Sequence, residues 1–114
     1  MTKGINTAAS GLTANQRRLQ ISAHNTANLN TKNFKKSRAS LKEGKHGGVE
    51  ATVRKEEVPG TPTQETDPSD GASANVEIAE ETVEQISARR GFKANAQVIR
   101  TQDEMLGKLL DLRG

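Results

Sequence analysis

An apolar stripe toward the C-terminal end constrains this chain more than any other feature. Ala79, Val83, Ile86, Ala94, Val98, Met105, Leu109 and Leu112 recur at steps of three, four, seven or eight residues, the repeat of one helix face. Arg90 and Thr101 fill the gaps on that stripe. The pattern predicts one helix over about 76–112, roughly 50–55 Å long at 1.5 Å per residue. Ser73 or Asn75 can cap its start, and Glu77, Glu80 and Glu81 suit the positive end of its dipole. Gly91 and Gly107 weaken it locally and remove bulk where another helix can approach.

Such a stripe needs a cover, and the chain has little to offer. Hydrophobic residues make up 32%, the only aromatics are Phe34 and Phe92, and mean hydropathy is -0.76. A chain of 114 residues with so few large apolar side chains cannot offset its ordering entropy along its whole length. It is therefore partly disordered or completed by partners.

A second helix is read over about 4–28, where Ile5, Ala8, Leu12, Leu19, Ala23 and Ala27 keep helical spacing. This stripe is narrow and made mostly of small side chains, which suits a tight seam against another helix. Between the helices, Val49, Ala51 and Val53 alternate with Glu50, Thr52 and Arg54, a strand signal and one arm of a hairpin. "PGTPTQETDPSDGASA", residues 59–74, holds all three prolines and reads as a mobile linker. The expected fold is mainly α. An N-terminal helix (1–30) and a C-terminal helix (75–114) pair as an antiparallel coiled coil. Residues 31–74 supply a basic turn, a short β-hairpin arm and the linker. No internal repeat is read.

"HNTANLNTKNFKK", residues 24–36, packs Asn25, Asn28, Asn30 and Asn33 into nine positions. Asparagine in loops commonly bonds its own backbone. At the end of a helix, Asn25 and Asn28 also share a face and can pair across subunits, fixing register. Charge is split: residues 1–46 carry nine Lys/Arg and one Glu, and residues 47–114 carry eight Lys/Arg and thirteen Asp/Glu. The basic run Lys32, Lys35, Lys36, Arg38 and Lys42 is a solvated surface or a contact for the acidic start of a neighbour's C-terminal helix. It lacks the interleaved aromatics and recognition motif of a nucleic-acid site.

Several function classes drop out. Without cysteine there are no disulfides or thiolate metal sites, and His24 and His46 are not at ligand spacing. No apolar run approaches a membrane span. The N-terminal stretch has no continuous apolar region, so no cleavable secretory signal is read there. The carboxylate pairs Glu56/Glu57, Glu80/Glu81 and Asp103/Glu104 are sequence neighbours without a nucleophile–base set or phosphate loop. Neither an enzyme nor a cofactor is expected.

The two ends together resemble the bacterial flagellar axial proteins, the rod and hook family. Residues 8–39 are similar to its N-terminal motif: Ser10, Gly11 and Leu12, then Asn25, Ala27, Asn28, Asn30 and Thr31, then Phe34 and Lys35. Residues 75–112 resemble its C-terminal helix at Arg90, Phe92, Ala94, Asn95, Val98, Ile99, Thr101, Asp103, Met105 and Leu106. The two stretches cover about 70 of the 114 residues. His24 replaces a usual asparagine, and Lys32-Asn33 replaces a usual Pro-Gly, with Asn33 able to take the positive φ of that turn. The short middle is most like that of a short proximal rod protein.

The resemblance implies a structural subunit of the basal-body rod, the drive shaft that crosses the periplasm. Such a subunit is exported by the flagellar type III apparatus without a cleaved signal. It assembles helically with its own copies and with other rod and hook proteins, and neither binds nucleic acid nor inserts into a membrane. Subunit contacts are expected at Leu12, Leu19, Asn25, Asn28, Asn30, Thr31 and Phe34, and at Val83, Ile86, Arg90, Phe92, Asn95, Val98, Met105 and Leu109. Two other classes are weighed beside it: a soluble coiled-coil adaptor or chaperone-like protein, stably helical alone, and a small basic nucleic-acid binder.

Overall fold

The computed structural model describes residues 2–45, 47–58 and 73–113. The mobile linker expected over 59–74 therefore falls, apart from Ser73 and Ala74, outside the described residues, as does His46. The order of elements is α1 (Thr2–Ala27), β1 (Ser37–Glu43), β2 (Val49–Lys55) and α2 (Ile78–Arg113). Two helices thus flank a small two-stranded antiparallel sheet. The molecule is a rod, 77 × 25 × 14 Å, and the 36 residues of α2 supply about 54 Å of that length.

The helices lie side by side and antiparallel. Gly4 meets Gln102, Gly11 meets Asn95, Asn15 meets Gly91, and Ser22 and Asn25 meet Glu81. On α1 the positions turned toward α2 are Gly4, Ala8, Gly11, Asn15, Arg18, Ser22 and Asn25, spaced alternately by four and three residues. On α2 they include Glu81, Ala88, Gly91, Asn95 and Gln102. This seam differs from the apolar stripes of the sequence. Ala8 belongs to it, but Leu12 and Leu19 sit half-buried at its flank, and Ala23 and Ala27 are exposed. Small side chains let the helices approach, and hydrogen bonds rather than aliphatic packing fill the contact.

The residues after α1 form successive tight turns. The Asn28 side chain donates to the His24 carbonyl, 2.9 Å, and accepts from the Thr31 hydroxyl, 3.1 Å. Asn33 has φ 60°, the left-handed turn expected of it. Phe34 is half-buried, edge-on to the His24 ring with centroids 5.6 Å apart. The chain then enters β1, which pairs with β2 from Ser37–Lys55 to Glu43–Val49.

Residues 73–77 have no regular secondary structure, and α2 begins at Ile78. Asn75 does not cap that helix. Its amide accepts from the Lys36 backbone N–H, 2.6 Å, and donates to the carbonyls of Glu56, 3.0 Å, and Val58, 2.7 Å. Asn75 thereby ties the lead-in of α2 to both ends of the hairpin.

The hairpin folds back on α1. Ser10 donates to the Thr7 carbonyl, 2.7 Å, and accepts from the Val49 N–H, 2.9 Å. Gly48 makes that approach possible: its φ is +79°, and a Cβ there would lie 2.6 Å from Ser10 Oγ. Gly48→Ala is expected to weaken hairpin docking by about 1–2 kcal/mol. The readout is faster amide hydrogen exchange at Val49, while amides in the centre of α1 keep wild-type protection.

Candidate functional site: a buried polar hub and an open apolar face

Glu81 is in the first turn of α2 and is only 1% exposed. Two other elements converge on its carboxylate. From α1, the Ser22 hydroxyl donates to Oε1 at 2.9 Å and the Asn25 amide at 3.2 Å. From β1, Arg38 donates through Nη1 to Oε1, 3.2 Å, and through Nη2 to Oε2, 2.7 Å. Arg38 also pairs with Glu80, and Lys36 reaches Glu80 at 3.1 Å. Burial by itself pushes the Glu81 carboxyl up. The hydrogen bonds from Arg38, Asn25 and Ser22 and the charge of Arg38 outweigh it and hold the group below the usual glutamate range.

Asn25 is fully buried beside it. Its Oδ1 accepts from the Ser37 N–H, 3.0 Å, and its Nδ2 donates to the Ser37 carbonyl, 2.8 Å. One side chain thus mimics a neighbouring strand and anchors the start of β1 to α1. The Asn25 amide, expected to reach another subunit, is saturated within its own chain. Asn28 likewise uses its amide locally. The basic residues Lys36 and Arg38 meet the acidic start of their own α2.

Further along the seam, Arg18 donates to Glu84, 2.8 Å, to Asn15, 3.0 Å, and to Ser87, 3.1 Å. Gln85 donates to Ser22 and Thr26. Of the C-terminal site residues, Asn95 alone lies in the seam, half-buried against Gly11.

The others face outward. Val83 is 66% exposed, Ile86 46%, Val98 45%, Met105 51% and Leu109 52%. Arg90 is exposed, and Phe92 is 38% exposed. Beyond Gln102, opposite Gly4, α2 runs on, and every residue from Asp103 to Leu112 is exposed. Gly107 has open space around it. On the N-terminal side, Asn30 and Thr31 are exposed. Among the described residues there is no cluster able to hold a metal ion, and no helix is long and apolar enough to cross a membrane.

Comparison with known proteins accounts for both helices. The family described as flagella basal body rod protein matches residues 5–35, and the C-terminal domain of the flagellar basal body rod FlgEFG proteins matches residues 72–112. The chain belongs to the flagellar rod and hook protein family. It is 34% identical over 64 residues to the flagellar basal-body rod protein FlgG of Bacillus subtilis, covering 47% of this chain and 24% of that protein. It is 44% identical over 41 residues to the flagellar hook protein FlgE of Escherichia coli and of Salmonella typhimurium, covering 36% of this chain and 10% of each relative. The chain thus spans a quarter or less of the length of these relatives. In this family member the two matched segments are the two halves of the polar seam, and the hub joins them to the hairpin.

The hub makes a pH-dependent prediction. Because the folded Glu81 sits below its ordinary value of 4.5, its contribution is fully present above that pH and is lost as pH falls through the folded value. Glu81→Gln is expected to cost about 2 kcal/mol at neutral pH by weakening the charge-assisted hydrogen bonds from Arg38, which keeps its pairing with Glu80. Amide protection in β1 should fall in the variant at pH 7, and the difference from wild type should shrink as the pH drops below about 4.

Proposed function

We propose that the chain is a non-enzymatic structural subunit of the flagellar basal-body rod. Its terminal helices would pair as a coiled coil and then build a helical assembly with other copies and with other rod and hook proteins. The observation that carries this reading is the outward stripe of α2. Val83, Ile86, Val98, Met105 and Leu109 keep about half or more of their surface in water while a polar seam closes the subunit. Fully burying one such aliphatic side chain is worth about 2 kcal/mol, so covering the stripe offers several kcal/mol per copy. Contacts that repeat head to tail without closing a ring generate a tube, as a drive shaft requires.

Leu12, Leu19, Asn30, Thr31 and Phe34 are the proposed N-terminal contacts; on α2, Arg90 belongs to the stripe and Phe92 is a further exposed contact away from it. Asn25, Asn28 and Asn95 serve the assembly indirectly, by shaping the subunit that presents these faces. The proposed location is the periplasm-crossing rod of the basal body, reached by type III export. Family membership supports that location. A nucleic-acid role is disfavoured, because Lys36 and Arg38 of the basic run are engaged by Glu80 and Glu81.

Deleting the gene should abolish flagella and swimming, and intact motility would refute the assignment. A finer test uses Val98→Asp or Leu109→Asp. Each should leave the helical content of the isolated chain unchanged while abolishing its incorporation into basal bodies and swimming in the complemented deletion strain.

A further inference from the structure

The two helices carry the same short motif, although no internal repeat is expected of the chain. Ala8-Ala9-Ser10-Gly11-Leu12-Thr13-Ala14-Asn15 on α1 matches Ala88-Arg89-Arg90-Gly91-Phe92-Lys93-Ala94-Asn95 on α2. Ala, Gly, Ala and Asn coincide at four positions, and a large apolar residue follows each glycine. The antiparallel pairing sets the two copies against each other around a local two-fold.

Each asparagine then does two things. Asn15 donates to the carbonyl of Gly11 in its own helix, 2.9 Å, and lies over Gly91 of the other, where a Cβ would meet its Oδ1 at 2.7 Å. Asn95 donates to the carbonyl of Gly91, 2.9 Å, and lies over Gly11, where a Cβ would meet its amide at 2.6 Å. Ala8 and Ala88 flank the contact, 4% and 0% exposed.

We propose that Gly11, Asn15, Gly91 and Asn95 form a reciprocal lock that determines the register of the helix pair. The glycine and alanine positions of the seam do not by themselves distinguish registers one heptad apart; polar side chains placed among them do. The lock does discriminate. Sliding α2 one heptad one way sets Asn95 against Gly4 but Asn15 against Glu84. Sliding it the other way sets Asn95 against Arg18 and Asn15 against Val98. Only the observed register gives both asparagines a glycine. The register in turn fixes how much of α2 projects past α1, and so which residues between 103 and 112 a partner meets. This inference concerns the single chain and stands whether or not the chain assembles.

The test exploits the pairing. Glycine to alanine inside a helix ordinarily favours the helix. Here Gly11→Ala should lower helicity, because the new methyl displaces Asn95. Adding Asn95→Ala should restore it, whereas adding Asn15→Ala should not. Gly91→Ala should show the converse, rescued by Asn15→Ala and not by Asn95→Ala. Register is read in the full-length chain, which has no native cysteine, by joining Gly4→Cys to Gln102→Cys or to Leu109→Cys with a short bis-maleimide. The 4–102 product should dominate at least tenfold, and Gly11→Ala should erode that preference. A gain of helicity in Gly11→Ala, equal rescue by Asn15→Ala, no rescue by Asn95→Ala, or equal cross-linking to 102 and 109 would overturn the proposal.

Discussion

The negative charge of Glu81 is the point on which the rest of the structure depends. A carboxylate withdrawn from water costs several kcal/mol unless its partners replace the lost hydration. Here they come from two other elements: Ser22 and Asn25 on α1, and Arg38 on β1. None of the three pairs of elements would be held as firmly without it. Two amides extend the arrangement. Asn25 captures the backbone of Ser37, and Asn75 captures Lys36, Glu56 and Val58. A chain with two aromatics and few large aliphatic residues therefore gains uniqueness from directional polar contacts where a larger domain would use a packed core.

This choice leaves the apolar residues free for another use. In an ordinary helix pair the aliphatic stripe closes the pair, and the outside is polar. Here the closing surface is Gly, Ala, Ser, Asn and Gln, and the stripe of α2 faces out. A subunit built this way holds its own shape while keeping its most adhesive surface exposed. Its polar seam also favours a single register, because a misaligned polar seam leaves buried groups unpaired.

The sequence displays these layers unequally. α2 is legible because its stripe is long and its spacing helical, and the turn at Asn33 follows from the tolerance of asparagine for positive φ. The direction of the stripe is not legible, since periodicity reports a face and not what covers it. The true seam is nearly invisible to hydropathy: Gly4, Ala8, Gly11, Asn15, Ser22 and Asn25 look like any small or polar surface. β1 is missed because "SRASLKE" has no clean alternation and is held in place by an amide twelve residues away. Glu81 reads as one of several acidic residues favouring a helix start. Its burial becomes visible only when Arg38 is placed beside it. What these misses share is a role that depends on a partner distant in sequence.

The central claim is that the subunit closes through its polar seam and reserves the apolar stripe for partners. Single cysteines in this cysteine-free chain test it most directly, by their rates of reaction with a thiol reagent in the isolated chain and in purified basal bodies. Ala88→Cys, in the seam, should react slowly in both. Val98→Cys and Leu109→Cys, on the stripe, should react at nearly the rate of an unfolded control in the isolated chain and become protected in the basal body. Slow reaction at Val98→Cys and Leu109→Cys in the isolated monomer, with fast reaction at Ala88→Cys, would contradict the account.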